Sequence, residues 1–192
     1  MMNRRRAVAA ISCGAMGGAV WPRGACAANW LPAPAVPDVS LLDQDGRALR
    51  LPELLRGRAV VVSFFFTGCT TVCPPQTALL REAARQWQTL PALRDVLVVS
   101  ISVDPLGDGP PQLRDYARRF DLPLGAAAGW VLLTGSPAPV RSVLGAFGVS
   151  SGAADQHSSL LWLGDEVKGR WARTSALNPP AMTTRLFEEL RT

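Results

Sequence analysis

Residues 59–77 read AVVVSFFFTGCTTVCPPQT. From Ala59 to Phe66 the side chains are β-branched, aromatic or small, with no charge. Such a run predicts a central strand covered on both faces, because a strand with one wet face alternates apolar and polar residues. Cys69 and Cys73 follow at once. From Gln76 to Leu90, Leu79, Leu80, Ala83, Ala84 and Trp87 recur at helical spacing. The cysteine pair therefore falls on a strand-to-helix junction, at the carboxyl end of a strand, where open α/β sheets build their sites. A helix beginning near Cys69 would set the two sulfurs four residues apart on one face. Its unpaired N–H groups would favour thiolate over thiol.

Upstream, Leu41 to Leu51 carry Asp45-Gly46 between short apolar segments, a hairpin signal. Val96 to Val103 (VLVVSISV) predicts a second buried strand, and Pro110-Pro111 suit the first turn of a helix reaching Phe120. Trp130 to Leu133 reads as a strand and Pro137 to Phe147 as a helix closed by Gly148. Ser158 to Leu163 and Val167 to Ala172 read as strands turning at Gly164-Asp165-Glu166. A last amphipathic helix spans Pro179 to Leu190, with Met182, Leu186, Phe187 and Leu190 inward. Parallel strands separated by helices, then an antiparallel pair and a helix, resemble a thioredoxin-like α/β sandwich. That implies a central mixed sheet, an N-terminal hairpin and helices on both faces. Trp130, Trp162 and Trp171 read as core residues. Asp104 and Asp108 read as ending a strand and shaping a turn.

The chain carries 20 basic and 15 acidic side chains. Arg4, Arg5, Arg6 and Arg23 all lie in residues 1–27, which hold no acid, so the remainder has 16 against 15. That balance gives no positive field to attract phosphates, and no nucleic-acid partner is expected. Residues 1–27 read as a cleaved signal peptide: a basic start, the apolar run Ala7 to Val20, then Ala25-Cys26-Ala27. The run is shorter than the ~20 apolar residues of a spanning helix. Periplasmic or otherwise exported localisation is expected, with membrane association only if the leader is retained. Residues 28–40 read as an extended lead-in, and 41–192 as one domain, expected to be a monomer.

Cleavage removes Cys13 and Cys26, leaving Cys69, Cys73, one histidine (His157) and one methionine (Met182). Two thiolates at that junction chelate one soft cation or close into a disulfide, and both outcomes are open. His157 lies in a loop of Gly, Ser and Asp residues (150–159) just before a strand and supplies a natural third ligand. Two thiolates and an imidazole suit copper, Cu(I) above all, with Cu(II) also compatible. Zinc competes only as an open three-ligand site, because the mature chain holds no fourth Cys or His. The pattern reads as a binding protein rather than an enzyme.

Four blocks, in order, resemble the Sco/SenC family of copper chaperones: FFFTGCTTVCPPQT, ISVDPLGDGPPQLRDYARRF, WVLLTGSPAPVRSVLGAFGV and DQHSSLLWLGDEVKG. The likeness covers roughly residues 33 to 190 and implies that Cys69, Cys73 and His157 are the metal ligands. It also implies a role in assembling the copper centre of cytochrome c oxidase. The partners would be subunit II or another copper-receiving protein, and a copper donor. Two departures stand out. Gln156 precedes the histidine where many relatives carry Asp, and the leader is shorter than the family's usual anchor. The runner-up function is an exported thiol–disulfide oxidoreductase using Cys69 and Cys73 as its redox-active pair.

Overall fold

The computed structural model describes residues 30–149 and 159–192. The run from Ala59 does form a strand, β3 (Ala59–Phe65), and every one of its residues is buried. Its side chains alternate between two cores, as the pleat requires. Ala59, Val61 and Phe65 face one layer, while Val60, Val62 and Phe64 face the other. Around it lie β1 (Ser40–Asp43), β2 (Ala48–Arg50), β4 (Leu97–Ser102), β5 (Trp130–Thr134), β6 (Leu160–Asp165) and β7 (Arg170–Ser175), in the order β2-β1-β5-β4-β3-β6-β7. β3, β4 and β5 are parallel. The β1–β2 hairpin joins antiparallel to β5, and β6 and β7 close the other side antiparallel.

Among the described residues, five helices cover the sheet: α1 (Leu51–Leu55), α2 (Cys73–Trp87), α3 (Pro110–Phe120), α4 (Pro137–Ala146) and α5 (Pro180–Arg191). Leu80, Trp87, Leu113, Tyr116 and Phe187 place α2, α3 and α5 on one face. Leu51, Leu55, Val140, Val143 and Leu144 place α1 and α4 on the other. The expected mixed α/β sandwich, with its N-terminal hairpin, is thus the observed architecture. Trp130, Trp162 and Trp171 are core residues, and Gly148 ends α4 with φ +69°.

Three local expectations change. The final hairpin turns at 166–169 rather than at Gly164, which sits inside β6. A Cβ on Gly164 would lie 2.6 Å from the ring of Trp171, so this glycine marks a close approach rather than a turn. Met182 is 58% exposed and Thr183 is buried instead, while Phe187 and Leu190 are buried as expected, so the inner face of α5 differs from the expected one only in its first turn. The short helix α1, carrying Pro52 in its first turn, follows β2 where no helix was expected.

Candidate metal centre

The junction differs from the expected one in where the helix starts. α2 begins at Cys73, and Cys69 lies in the loop before it. A helix reaching back to Cys69 would drive the rings of Pro74 and Pro75 against the carbonyls of Thr70 and Thr71. In the first turn the prolines clash with nothing and their missing N–H groups cost nothing. The two sulfurs are therefore not neighbours on a helix face. Cys69 instead sits across the helix entrance, where the N–H of Cys73 donates to its Sγ at 3.3 Å. The turn is closed behind it by the Cys69 N–H donating to the Phe66 carbonyl at 3.2 Å.

Both cysteines are buried thiols, Cys69 at 5% exposure and Cys73 at 0%. Their electrostatics diverge. Burial alone would raise Cys69, but hydrogen bonds from Cys73 and from the Thr71 and Val72 backbone outweigh it and bring the thiol down to about 7. Burial pushes Cys73 up to about 12; a hydrogen bond from the Phe66 backbone opposes this, and the charges of Cys69 and Asp108 add to it. One sulfur is thus ready as a thiolate near neutrality, while the other gives up its proton only when something replaces it, such as a metal ion.

Asp108 holds this loop in place. Only 2% exposed, its carboxylate accepts the Thr67 N–H at 3.0 Å, the Thr67 hydroxyl at 2.5 Å and the Ser102 hydroxyl at 2.6 Å. It ties the end of β4 to the residues just before Cys69. Asp104 does what both aspartates were expected to do, accepting the Gly107 N–H at 3.1 Å within its own turn. Each follows β4 in a polar loop and so reads alike as sequence; burial and the Thr67 and Ser102 donors set Asp108 apart. Gln76, one turn beyond Cys73, donates to the Phe64 carbonyl at 2.7 Å and so fastens α2 to β3.

Tyr116 forms an aromatic wall on the same face, with ring centroids 4.7 Å from both Phe65 and Phe120. Its hydroxyl is 2.6 Å from that of Thr77. Burial holds its phenol above the ordinary range, against the Thr77 hydrogen bond, and the nearby cysteines add to the rise.

Among the described residues no group of three His, Cys, Asp or Glu side chains is arranged to hold a metal. The expected third ligand, His157, lies outside the described residues, as does its loop from 150 to 158. The chain is described again from Ser159. There β6 starts opposite the end of β3, with Leu161 paired to Ser63, at the same end of the sheet as Cys69. Two sulfur donors, one of them lowered towards neutrality, form a soft donor set of the kind copper(I) prefers.

The SCO1/SenC family profile matches residues 31–174, three quarters of the sequence, including the junction just described. The chain belongs to the SCO1/SenC family. Among curated relatives, the SCO1 protein homolog of Bacillus subtilis is 37% identical over 93 residues, which is 48% of this chain and 45% of that protein. The match thus spans about half the length of that relative. The copper-bound structure of ScoI from Arabidopsis thaliana superposes with a TM-score of 0.66 at 26% identity, covering 80% of this chain and 96% of the other. BsSco, described as a member of the Sco family of cytochrome c oxidase assembly proteins with a disulfide switch, gives 0.66 at 25% identity, covering 84% and 97%. The seven-stranded mixed sheet is the thioredoxin-like fold of these Sco proteins.

Proposed function

We propose that this protein is an exported copper carrier, in which Cys69, Cys73 and His157 hold one copper ion for transfer during cytochrome c oxidase assembly. The observation that carries the reading is the thiol pair at the entrance of α2. Cys69 accepts the Cys73 N–H and has its thiol lowered to about 7, beside a buried second thiol, on a loop braced by Asp108. Copper entry displaces the Cys73 proton, and a partner offering its own thiolates takes the ion by ligand exchange. Subunit II, which receives copper, is the partner this reading favours. Residues 1–27 would direct export to the periplasm. No helix of the described residues is long and apolar enough to cross a membrane.

A second reading has its own support. An attacking thiol near 7 beside a resolving thiol near 12 is the asymmetry a thiol–disulfide oxidoreductase uses. Copper stoichiometry on the reduced protein separates the two, with His157→Ala and Cys69→Ser alongside. The carrier binds one equivalent and loses it in both variants. An oxidoreductase binds none, and its disulfide reduction survives His157→Ala.

A further inference from the structure

At the other end of the sheet lies a cleft of about 430 Å³ between α2 and the segment joining α3 to β5. Val96 immediately precedes β4 and Trp130 opens β5, so both mark the amino ends of the parallel strands, away from the cysteines. Arg81, Ala84, Arg85 and Gln88 line one wall. Their spacing of three and four residues puts them on one outward stripe of α2.

The apolar lining is formed by Ala84, Leu122, Pro123 and Ala128, with Val96 and the indoles of Trp87 and Trp130, each 3% exposed or less, packed beneath. Neither indole brings a polar demand to it. The Trp87 N–H donates to the Thr184 hydroxyl at 2.9 Å, and that of Trp130 to the Ser100 hydroxyl at 3.1 Å. The rim carries the charge. Arg81 is neutralised and oriented by Asp121, whose carboxylate and carbonyl both accept from its guanidinium. Arg85, exposed on the next turn, has no ion pair or hydrogen bond among the described residues. Gly129, with φ +91°, brings the far wall in so that a Cβ there would be 3.7 Å from the Gln88 amide. The cleft thus offers an apolar bed, two occupied polar groups and one unspent cation.

We propose that this cleft binds a small amphipathic carboxylate, its apolar body lying against Ala84, Leu122 and Pro123 and its carboxylate meeting Arg85. The volume falls in the range of ordinary small-molecule sites, which are mostly apolar with a few placed polar groups. A neutral ligand of the same shape leaves Arg85 unused, and a cation is repelled by it. The site stands apart from copper binding, so its fate does not depend on the function proposed above.

Octanoate is the probe, titrated into the reduced protein while tryptophan fluorescence is followed, with octanol and acetate as controls and calorimetry for stoichiometry. Octanoate should saturate at one equivalent, and octanol should bind at least about tenfold more weakly, the factor that ~1.4 kcal/mol corresponds to. Acetate should give no signal. Arg85→Glu, on an exposed helix position, should weaken octanoate at least as much while leaving copper stoichiometry unchanged. Ala84→Phe should block octanoate by filling the wall. Octanoate that fails to saturate, octanol binding as tightly, or undiminished binding by Arg85→Glu would each overturn the proposal.

Discussion

Removing the Asp108 carboxylate should loosen the cysteine loop more than any other single polar change near it. Three donors converge on that side chain: the Thr67 N–H, the Thr67 hydroxyl and the Ser102 hydroxyl. Hydrogen bonds to a charged group contribute about 1.5–3 kcal/mol each, but three bonds sharing one carboxylate do not add fully. Asp108→Ala leaves all three donors without their acceptor at a site that is 2% exposed, and should cost about 3–5 kcal/mol. Asp108→Asn keeps the shape: its carbonyl oxygen still accepts the Thr67 N–H and the Ser102 hydroxyl, and the Thr67 hydroxyl can turn to accept from its amide. Losing only the charge, it should cost about 1–2 kcal/mol. Urea unfolding of the reduced, metal-free protein reads both. With a slope of about 2 kcal/mol/M, the alanine variant should unfold at a midpoint lower by about 1.5–2.5 M. An alanine variant within about 0.5 kcal/mol of the parent would show that the carboxylate does not brace the loop.

Iodoacetamide should alkylate Cys69 with a rate rising through pH 7 while Cys73 stays protected, and equal reactivity of the two would contradict the asymmetry. The same shifts fix a stability profile in the metal-free protein. Cys69, lowered from 9.0 to about 7, adds stability as pH rises from 7 to 9 and loses it as pH falls back through 7; Cys73, raised from 9.0 to about 12, subtracts stability above pH 9. Cys69→Ser should flatten the rising limb and Cys73→Ser the falling one, as denaturant midpoints across that range will tell. Gly164→Ala should destabilise by about 1–3 kcal/mol by pressing a methyl group into the Trp171 ring, and a melting temperature equal to the parent's would refute it. Phe187→Ala should cost about 3–5 kcal/mol, because it empties a fully buried site edge-on to Trp87, while Met182→Ala should stay within about 0.5 kcal/mol. Parallel melts of the two variants check the orientation of α5.

The order of elements and the place of the cysteine pair are written in the chain itself. β3 and β4 are legible because a strand covered on both faces excludes charge and is apolar at nearly every position, with only small serines between, which leaves a mark that is local in the chain. The prolines after Cys73 and the glycine after α4 are equally local, since each acts through its own backbone. Other features arise from residues far apart in the chain that folding brings together. Gly164 looks like a turn residue until Trp171 is seen lying on it. Met182 and Thr183 exchange inner and outer positions because α5 docks on Trp87 through Phe187. Asp104 and Asp108 are alike as letters, and they diverge because Thr67, forty-one residues upstream of Asp108, turns its N–H and hydroxyl into one carboxylate and not the other. Even the helix start, whose proline constraint is written in the sequence, produces its consequence in space: the Cys73 N–H reaches the Cys69 sulfur and makes two cysteines of one motif chemically unequal. Spacing names the sulfurs, and burial and hydrogen bonding, which are properties of the folded chain, set what each of them can do.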